Sequence, residues 1–407
     1  MNYRIGIDIG SQTIRAAIFE VQRDGSLSLA HLLRANSGGV RRGAVENTSQ
    51  ATQALSVIIA QIKNISRGAI KNLSVGVGSP DVKVQYSKGV VAVSRADDEI
   101  YQDDISRVLQ SARALNLPPN RMVIEAVIKE YVVDGITGIA DPLGMIGKRL
   151  EVNMLIVDAF APSVKNIERC VETLGASVGR LVLSPTAAAS AVLSSQQKEL
   201  GVILIDIGFG TTKIAIYEEN RLVHVAVIPV GGANITNDLA IGLRIPIEVA
   251  ETIKLSYGSA LAKEVSARDA VELAKIDPRA KGTVTKKFIA EIIEDRLAEI
   301  FELVNNEVKR VGKASQLPAG AVIVGAGAKM PNIAELARSE LKVSSQIGVP
   351  ILTGSTGASS ELNLQSEDPE FATAIGLALH ASQDEETGQT PPRFHGTLKT
   401  ILNYFIP

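Results

Sequence analysis

Two stretches of this chain, RIGIDIGSQTIRAAIF (Arg4–Phe19) and LIDIGFGTTKIAIY (Leu204–Tyr217), repeat one design. Each is an apolar run ending in Asp-Ile-Gly, a turn of small and hydroxylated residues, and a second apolar run. Runs of this kind around a small tip predict a β-hairpin, with glycine expected to supply positive φ at the tip. A tip without bulky side chains lets backbone N–H groups approach an anion. Gly10, Ser11, Gln12, Thr13 and Arg15 in the first hairpin, and Gly208, Gly210, Thr211 and Thr212 in the second, are therefore candidate phosphate-binding residues, with Lys213 adding a nearby charge. Asp8 and Asp206, just ahead of the tips, are then expected to hold a magnesium ion carried by the phosphates, through water because magnesium keeps part of its hydration shell. Two such tips would clamp one phosphate chain between two lobes.

A chain of 407 residues is long enough for that division. With 45% hydrophobic and 21% charged residues and a net charge of −2, it has the composition of an ordinary globular protein and no electrostatic footprint for nucleic acid. Cys170 is the only cysteine, and His31, His224, His380 and His395 are scattered, which excludes a disulfide framework and gives no zinc-site spacing. The opening MNYRIGIDIG enters a strand-like run without a signal-peptide pattern, and no run reaches membrane-spanning length. A cytoplasmic body is expected.

Along the chain, Leu55, Ile58, Ile59 and Ile62 mark an early helix, and Leu73–Val77 has the texture of a buried strand. From Val84 the pattern changes to short strands (88–93, 121–133, 149–159) and a helix opened by acids (103–115), which predicts a small α+β insert. Alternating α and β elements then resume. A long amphipathic helix is expected over 287–309, with Ile289, Ile292, Ile293, Leu297, Ile300, Phe301 and Val304 on one face. The apolar residues disappear in SQDEETGQTPPR (Ser382–Arg393), which predicts a linker.

A third stretch, AVIVGAGAKMPNIAELA (Ala321–Ala337), combines a buried strand, a Gly-Ala-Gly turn and a helix. It lacks the third glycine of a dinucleotide fingerprint, and the chain has no complete phosphate-loop pattern. The order hairpin, hairpin, Gly-Ala-Gly turn resembles the actin/Hsp70/sugar-kinase ATPases. The resemblance implies an actin-like two-lobed ATPase fold of two RNase H-like domains, with ATP and Mg2+ as ligands. It places Gly325, Ala326 and Gly327 against the nucleotide, and Glu251 and Lys254 of EVAETIK beside the ribose and base.

Within that superfamily, SKGVVAVS (Ser87–Ser94), DDISRVLQSARALNLPPNR (Asp103–Arg121), KEYVVDGITGIADPLGMIGKRLEV (Lys129–Val152) and VGGANITNDLAIGL (Val230–Leu243) closely resemble the bacterial actin-like cell division proteins of the FtsA family. The resemblance spans essentially the whole chain. It implies a membrane-attached adaptor that polymerises like actin and binds the C-terminal tail of the tubulin-like division protein FtsZ, with further division proteins as possible partners. The tail is expected on the long amphipathic helix, where EIIEDRLAEIFELV puts Arg296 and Glu299 at the matching positions. The implied division of the chain is 1–83 with 163–195 as the first lobe, and 84–162 as an insert making filament contacts. Residues 196–236 with 319–381 form the second lobe core, and 237–318 a partner- and adenosine-contacting subdomain. The linker is 382–393, and 394–407 is a membrane-targeting helix.

Three departures bear on chemistry. Phe209 stands where the family usually has glycine, Lys213 where an acid is common, and Ser184 where relatives often carry a glutamate. Serine cannot serve as a carboxylate base for an attacking water, so at most a slow ATPase is expected.

In FHGTLKTILNYFIP, Phe394, Leu398, Ile401, Leu402 and Phe405 share one helical face. That pattern suits a short helix lying in the headgroup region of a membrane rather than crossing it, and the family resemblance implies that this membrane is the cytoplasmic one, met on its inner face at the division site. Two alternatives stay open at this point. A small-molecule kinase of the superfamily would use the same clamp but has no role for the tail, and a type IV pilus inner-membrane adaptor is also actin-like. An Hsp70 chaperone is excluded, since nothing after the ATPase core resembles a peptide-binding domain.

Overall fold

The computed structural model describes residues 2–278, 282–313, 316–352 and 360–387. The chain opens with β1 (Asn2–Ile9), β2 (Thr13–Val21) and β3 (Leu27–Asn36), then a small ribbon of β4 (Val40–Arg41) and β5 (Ala44–Val45), α1 (Thr48–Ile65) and β6 (Leu73–Val77). An inserted unit follows, built from β7 (Lys83–Ala92), α2 (Gln102–Arg113), β8 (Arg121–Val133), β9 (Ile136–Ile139) and β10 (Arg149–Phe160). The chain returns through α3 (Ala161–Thr173), β11 (Val178–Leu183), α4 (Ser184–Val192) and α5 (Ser195–Leu200).

The second half repeats the first. A meander of β12 (Val202–Ile207), β13 (Thr212–Glu218) and β14 (Arg221–Ile228) leads to α6 (Gly232–Leu243) and α7 (Ile247–Tyr257). A second ribbon, β15 (Ala270–Glu272) with β16 (Thr283–Thr285), precedes the long α8 (Lys286–Arg310). After it come β17 (Ala321–Val324), α9 (Ile333–Leu341), β18 (Ser345–Ile347), α10 (Ser360–Ser366) and α11 (Ala372–Thr387).

The two large sheets have the orders β11-β6-β1-β2-β3 and β18-β17-β12-β13-β14. In each, an antiparallel meander is extended by strands parallel to its first member. The sequence repeat is thus a repeat of topology. Strand alternation assigns the faces. In β1, Ile5, Ile7 and Ile9 pack on α1 and α3, and in β12, Ile203, Ile205 and Ile207 pack in the cluster that holds α7 and α8. Asp8 and Asp206, one residue out of phase with those isoleucines, point to the opposite faces, which look toward each other. Between those inner faces lies a shared core of Ala17, Phe19, Val202, Leu204, Ala188, Ala374 and Ile375, with α4 and α11 wedged between the sheets.

In the insert, α2 lies across the sheet β7-β10-β8-β9. Ile105, Val108 and Ala112 pack there on Leu150, Val152 and Met154. Glu125 on β8 reaches the main body, where its carboxylate accepts from Thr186 Oγ1 of α4 at 3.1 Å. Burial pushes the Glu125 carboxyl from 4.5 up to about 7, against the opposing pull of Thr186 and Arg180. The folded form therefore holds a proton that the unfolded chain has released, and stability falls as pH rises between those two values, by at most about 3 kcal/mol. Glu125→Gln is expected to remove that slope in urea unfolding at a series of pH values. Parallel slopes for the two proteins would show that the carboxyl titrates normally.

One expected boundary is corrected. The polar stretch beginning at Ser382 was expected to be linker, but α11 continues through Thr387. Glutamine and glutamate are good helix formers, and extending a helix already anchored by buried residues is easier than nucleating one. Loss of apolar residues there does not mark the helix end. The expected membrane segment, with Phe394, Leu398, Ile401, Leu402 and Phe405, lies outside the described residues.

Candidate functional site

The hairpin tips meet where the inner faces open into a cleft. Each tip is closed in the same way, by Gly10 N donating to Thr13 O at 3.1 Å and Gly208 N to Thr211 O at 2.9 Å. The cleft is lined by Asp8, Gly10, Ser11, Gln12, Thr13 and Arg15 from the first lobe and Asp206, Gly208, Gly210 and Thr211 from the second. Gly325 and Ala326 of the Gly-Ala-Gly turn complete this wall. The three segments singled out in the sequence thus line one cleft.

The tip glycines serve a different purpose from the one expected. Neither Gly10, Gly208 nor Gly210 has positive φ. Close approach is the constraint: a Cβ on Gly210 would lie 2.8 Å from Ser11 Oγ of the other lobe, and one on Gly10 would lie 2.6 Å from Thr13 O. Positive φ is found instead at Gly325, where a Cβ would stand 2.3 Å from Asp206 Oδ1.

Four other expected residues stand elsewhere. Thr212 is fully buried and donates its hydroxyl to Val230 O at 2.9 Å. It shares the outward parity of Ile214 and Ile216, so strand alternation turns it away from the cleft. Gly327 lies behind β12, where a Cβ would meet Ile207 Cγ2 at 2.4 Å. Glu251 and Lys254 are paired at 2.7 Å on α7, beside the cleft rather than in its wall. Lys254 also donates to Thr236 Oγ1 at 2.8 Å, and its ammonium lies 5.5 Å from the centre of the Phe209 ring. Burial lowers the Lys254 pKa in spite of Glu251. Burial would raise Glu251, but bonds from Lys254 and Thr236 outweigh it and hold the carboxyl below its ordinary value. Gln12 Nε2 donates to Glu251 Oε1 at 3.2 Å, joining the first tip to α7 across the cleft.

The cations of the cleft are arranged by strand register. Arg15 is the direct cross-strand partner of Asp8, and Lys213 of Asp206, so each hairpin sets a base opposite its acid on the inner face. Arg15 leans away from Asp8, at 4.0 Å, onto Glu370 at 2.6 Å. Burial would raise Glu370, yet Arg15, Lys329 and Arg34 together hold its carboxyl below the ordinary range. Lys213 Nζ stands 2.9 Å from Asp206 Oδ2, which also accepts from Thr373 Oγ1 at 3.4 Å. Burial opposes its charge, but Asp206 and Asp8 outweigh burial and hold its pKa above that of an ordinary lysine. Asp8 is raised, with burial outweighing the pull of Lys213 and Arg15.

A magnesium ion held between Asp8 and Asp206 therefore does not fit these residues, because the Lys213 ammonium already occupies the face on which the two carboxylates converge. No group of three or more metal-ligating side chains gathers among the described residues. Ser184 also lines the cleft, with its Oγ 2.8 Å from where a Cβ on Gly76 would be and 2.9 Å from the corresponding point on Gly78. Glu370 and Thr373 were missed in the sequence. The signal for Lys213 was present, since Arg15 and Lys213 follow their aspartates at the same offset.

Family comparisons agree with this architecture. The family description "Cell division protein FtsA" matches residues 203–376, and "SHS2 domain inserted in FTSA" matches 80–158. The cell division protein FtsA of Pseudomonas aeruginosa is 34% identical over 387 residues, covering 95% of this chain and 91% of that protein. This chain belongs to the FtsA family of cell division proteins. The FtsA of Bacillus subtilis is 33% identical, covering 93% of this chain and 83% of that protein.

Solved structures share the actin-like fold at lower identity. The PilM-PilN type IV pilus biogenesis complex superposes with a TM-score of 0.66 at 16% identity, covering 93% of this chain and 98% of that one. MreB 5 of Spiroplasma citri bound to AMPPNP gives 0.57 at 14%, covering 95% and 98%. Membership of the FtsA family sets aside the kinase and pilus alternatives. The inserted β7-to-β10 unit is the family's SHS2 domain.

Proposed function

We propose that this FtsA-family chain is an ATP-binding adaptor that polymerises like actin on the inner face of the cytoplasmic membrane and tethers FtsZ by that protein's C-terminal tail. The observation that supports it most is the near-full-length match to FtsA proteins, joined to a cleft in which two hairpin tips and a Gly-Ala-Gly turn face one another. Backbone N–H groups at such tips suit a polyphosphate. With Ser184 and no carboxylate at that position, nucleotide turnover is slow and ATP acts chiefly as a structural ligand.

The proposed tail site on α8 is partly committed within the fold. Arg296 holds Asp238 of α6 through two bonds, at 2.6 and 3.0 Å, and also bonds Glu299. Glu299 remains 47% exposed against 24% for Arg296 and is the freer of the two to meet a peptide. No helix among the described residues is long and apolar enough to cross a membrane. Attachment is assigned to the C-terminal segment, and polymerisation multiplies a weak single-copy contact.

Flotation of the full chain with anionic liposomes, ATP and a fluorescent FtsZ tail peptide tests these assignments together. Wild type is expected to float and carry the peptide. Leu402→Glu with Phe405→Glu removes two side chains each contributing roughly 1.5–3 kcal/mol of transfer free energy, and should stay at the bottom of the gradient while still binding peptide and ATP. Flotation of the double variant, or wild type that floats without peptide, would overturn the membrane or the tethering assignment respectively.

A further inference from the structure

The cleft carries its own counter-charge. Lys213 is fixed opposite Asp206 by strand register, and its stem crosses from the second lobe to lie over Gly78 at the end of β6 in the first. A Cβ on Gly78 would fall 2.7 Å from Lys213 Cε, so the glycine leaves the groove in which the lysine lies. Its side chain is 12% exposed and that of Asp206 only 6%, a degree of burial at which an ion pair is little screened by solvent. Arg15, the other cation on this face, is bound to Glu370.

A divalent ion seated here would have to displace the ammonium or share a buried space with it. Magnesium also demands near-octahedral oxygen ligation, whereas Asp206 Oδ2 is already taken up by Lys213 and Thr373.

We propose that Lys213 takes the place of the divalent cation, so that this chain binds the polyphosphate of a nucleotide without requiring a metal ion. The lysine is a point charge on a flexible stem, with donors free to leave Asp206 and meet a phosphate oxygen. This inference rests on the nucleotide-binding function proposed above and concerns the same cleft.

Calorimetric titration of the full chain with ATP, in excess EDTA and in excess magnesium, tests it. Wild type is expected to bind with affinities within about threefold of each other in the two buffers. Lys213→Asp is expected to lose at least about tenfold in EDTA and to recover in magnesium. Its nucleotide-free form should be stabilised against heat by magnesium alone, which wild type should not. Lys213→Met, checked for folding by its melting curve, should bind ATP more weakly than wild type in EDTA. Wild type that binds only with magnesium, or Lys213→Met that binds like wild type in EDTA, overturns the role of Lys213 and leaves nucleotide binding standing. Absence of ATP binding by wild type in both buffers overturns both.

Discussion

Gly376→Leu is expected to abolish cooperative folding of both lobes. The helix α11 runs against α4 so closely that a Cβ at this position would lie 1.7 Å from Ala187 O and 2.4 Å from its carbonyl carbon. These are backbone atoms of a buried helix and cannot turn aside as a side-chain tip would. On its other side α11 packs just as closely on β1, where a Cβ on Gly6 would meet Ala374 O at 2.2 Å. Forcing α11 outward would open the core it shares with both sheets, around Phe19, Leu204 and Ile375. Overpacking in a core usually costs about 1–3 kcal/mol, and a clash with backbone between two helices exceeds that range, to more than about 4 kcal/mol. Urea unfolding followed by circular dichroism should show a broadened, early transition. A midpoint close to that of wild type would mean that α11 is less tightly held than these distances state.

Arg121→Leu is expected to cost about 3–5 kcal/mol by leaving a buried carboxylate without its counter-ion. Asp158, whose side chain is 0% exposed, stands near the end of β10 where the SHS2 domain rejoins the first lobe. Its carboxylate is paired with Arg121 and accepts from Gln85 Nε2 at 2.7 Å. Arg121 also donates to Asp81 O at 2.7 Å, so one guanidinium at the start of β8 ties the chain just before β7, where it enters the insert, to β10, where it returns to the body. Removing both charges, with Asp158→Asn added to Arg121→Leu, should recover much of the loss, since most of the penalty is the stranded charge. Equal stability of the single and double variants would show that the guanidinium acts by packing alone. Limited proteolysis should find the single variant cut first in the SHS2 domain.

Much of this architecture was legible because it depends on short-range rules. The duplicated Asp-Ile-Gly hairpins, the short strands of the insert and the apolar stripe of α8 all appear where their patterns place them. Assigning side chains at the tips was less successful. Thr212 was included for its hydroxyl, although its parity with Ile214 and Ile216 already turned it outward. Gly327 was placed against the nucleotide by resemblance to the superfamily, but the space a side chain would need there is filled by Ile207. Glu370 had no local signal, because its partner Arg15 is at the other end of the chain and only the tertiary fold joins them. The pairing of Lys213 with Asp206 followed from register alone, whereas its effect on a metal site required the groove over Gly78 to be seen.

The position of α11 also imposes an order of assembly. Its buried residues, Ala372 to Ala378, are made long after β1 and β2, and they complete the inner face of the first sheet. While a ribosome is still translating the second lobe, Phe19, Leu29 and their neighbours lack the part of their cover that α11 and the second sheet supply. Contacts between segments so distant in sequence are slow to form and leave apolar surface exposed in the meantime. The nascent chain therefore passes through a long stage in which a holdase has something to grip. Truncations ahead of Ala372 should leave insoluble chains even with the entire first lobe present, and loss of the segment beyond Thr387 should leave both lobes free to close.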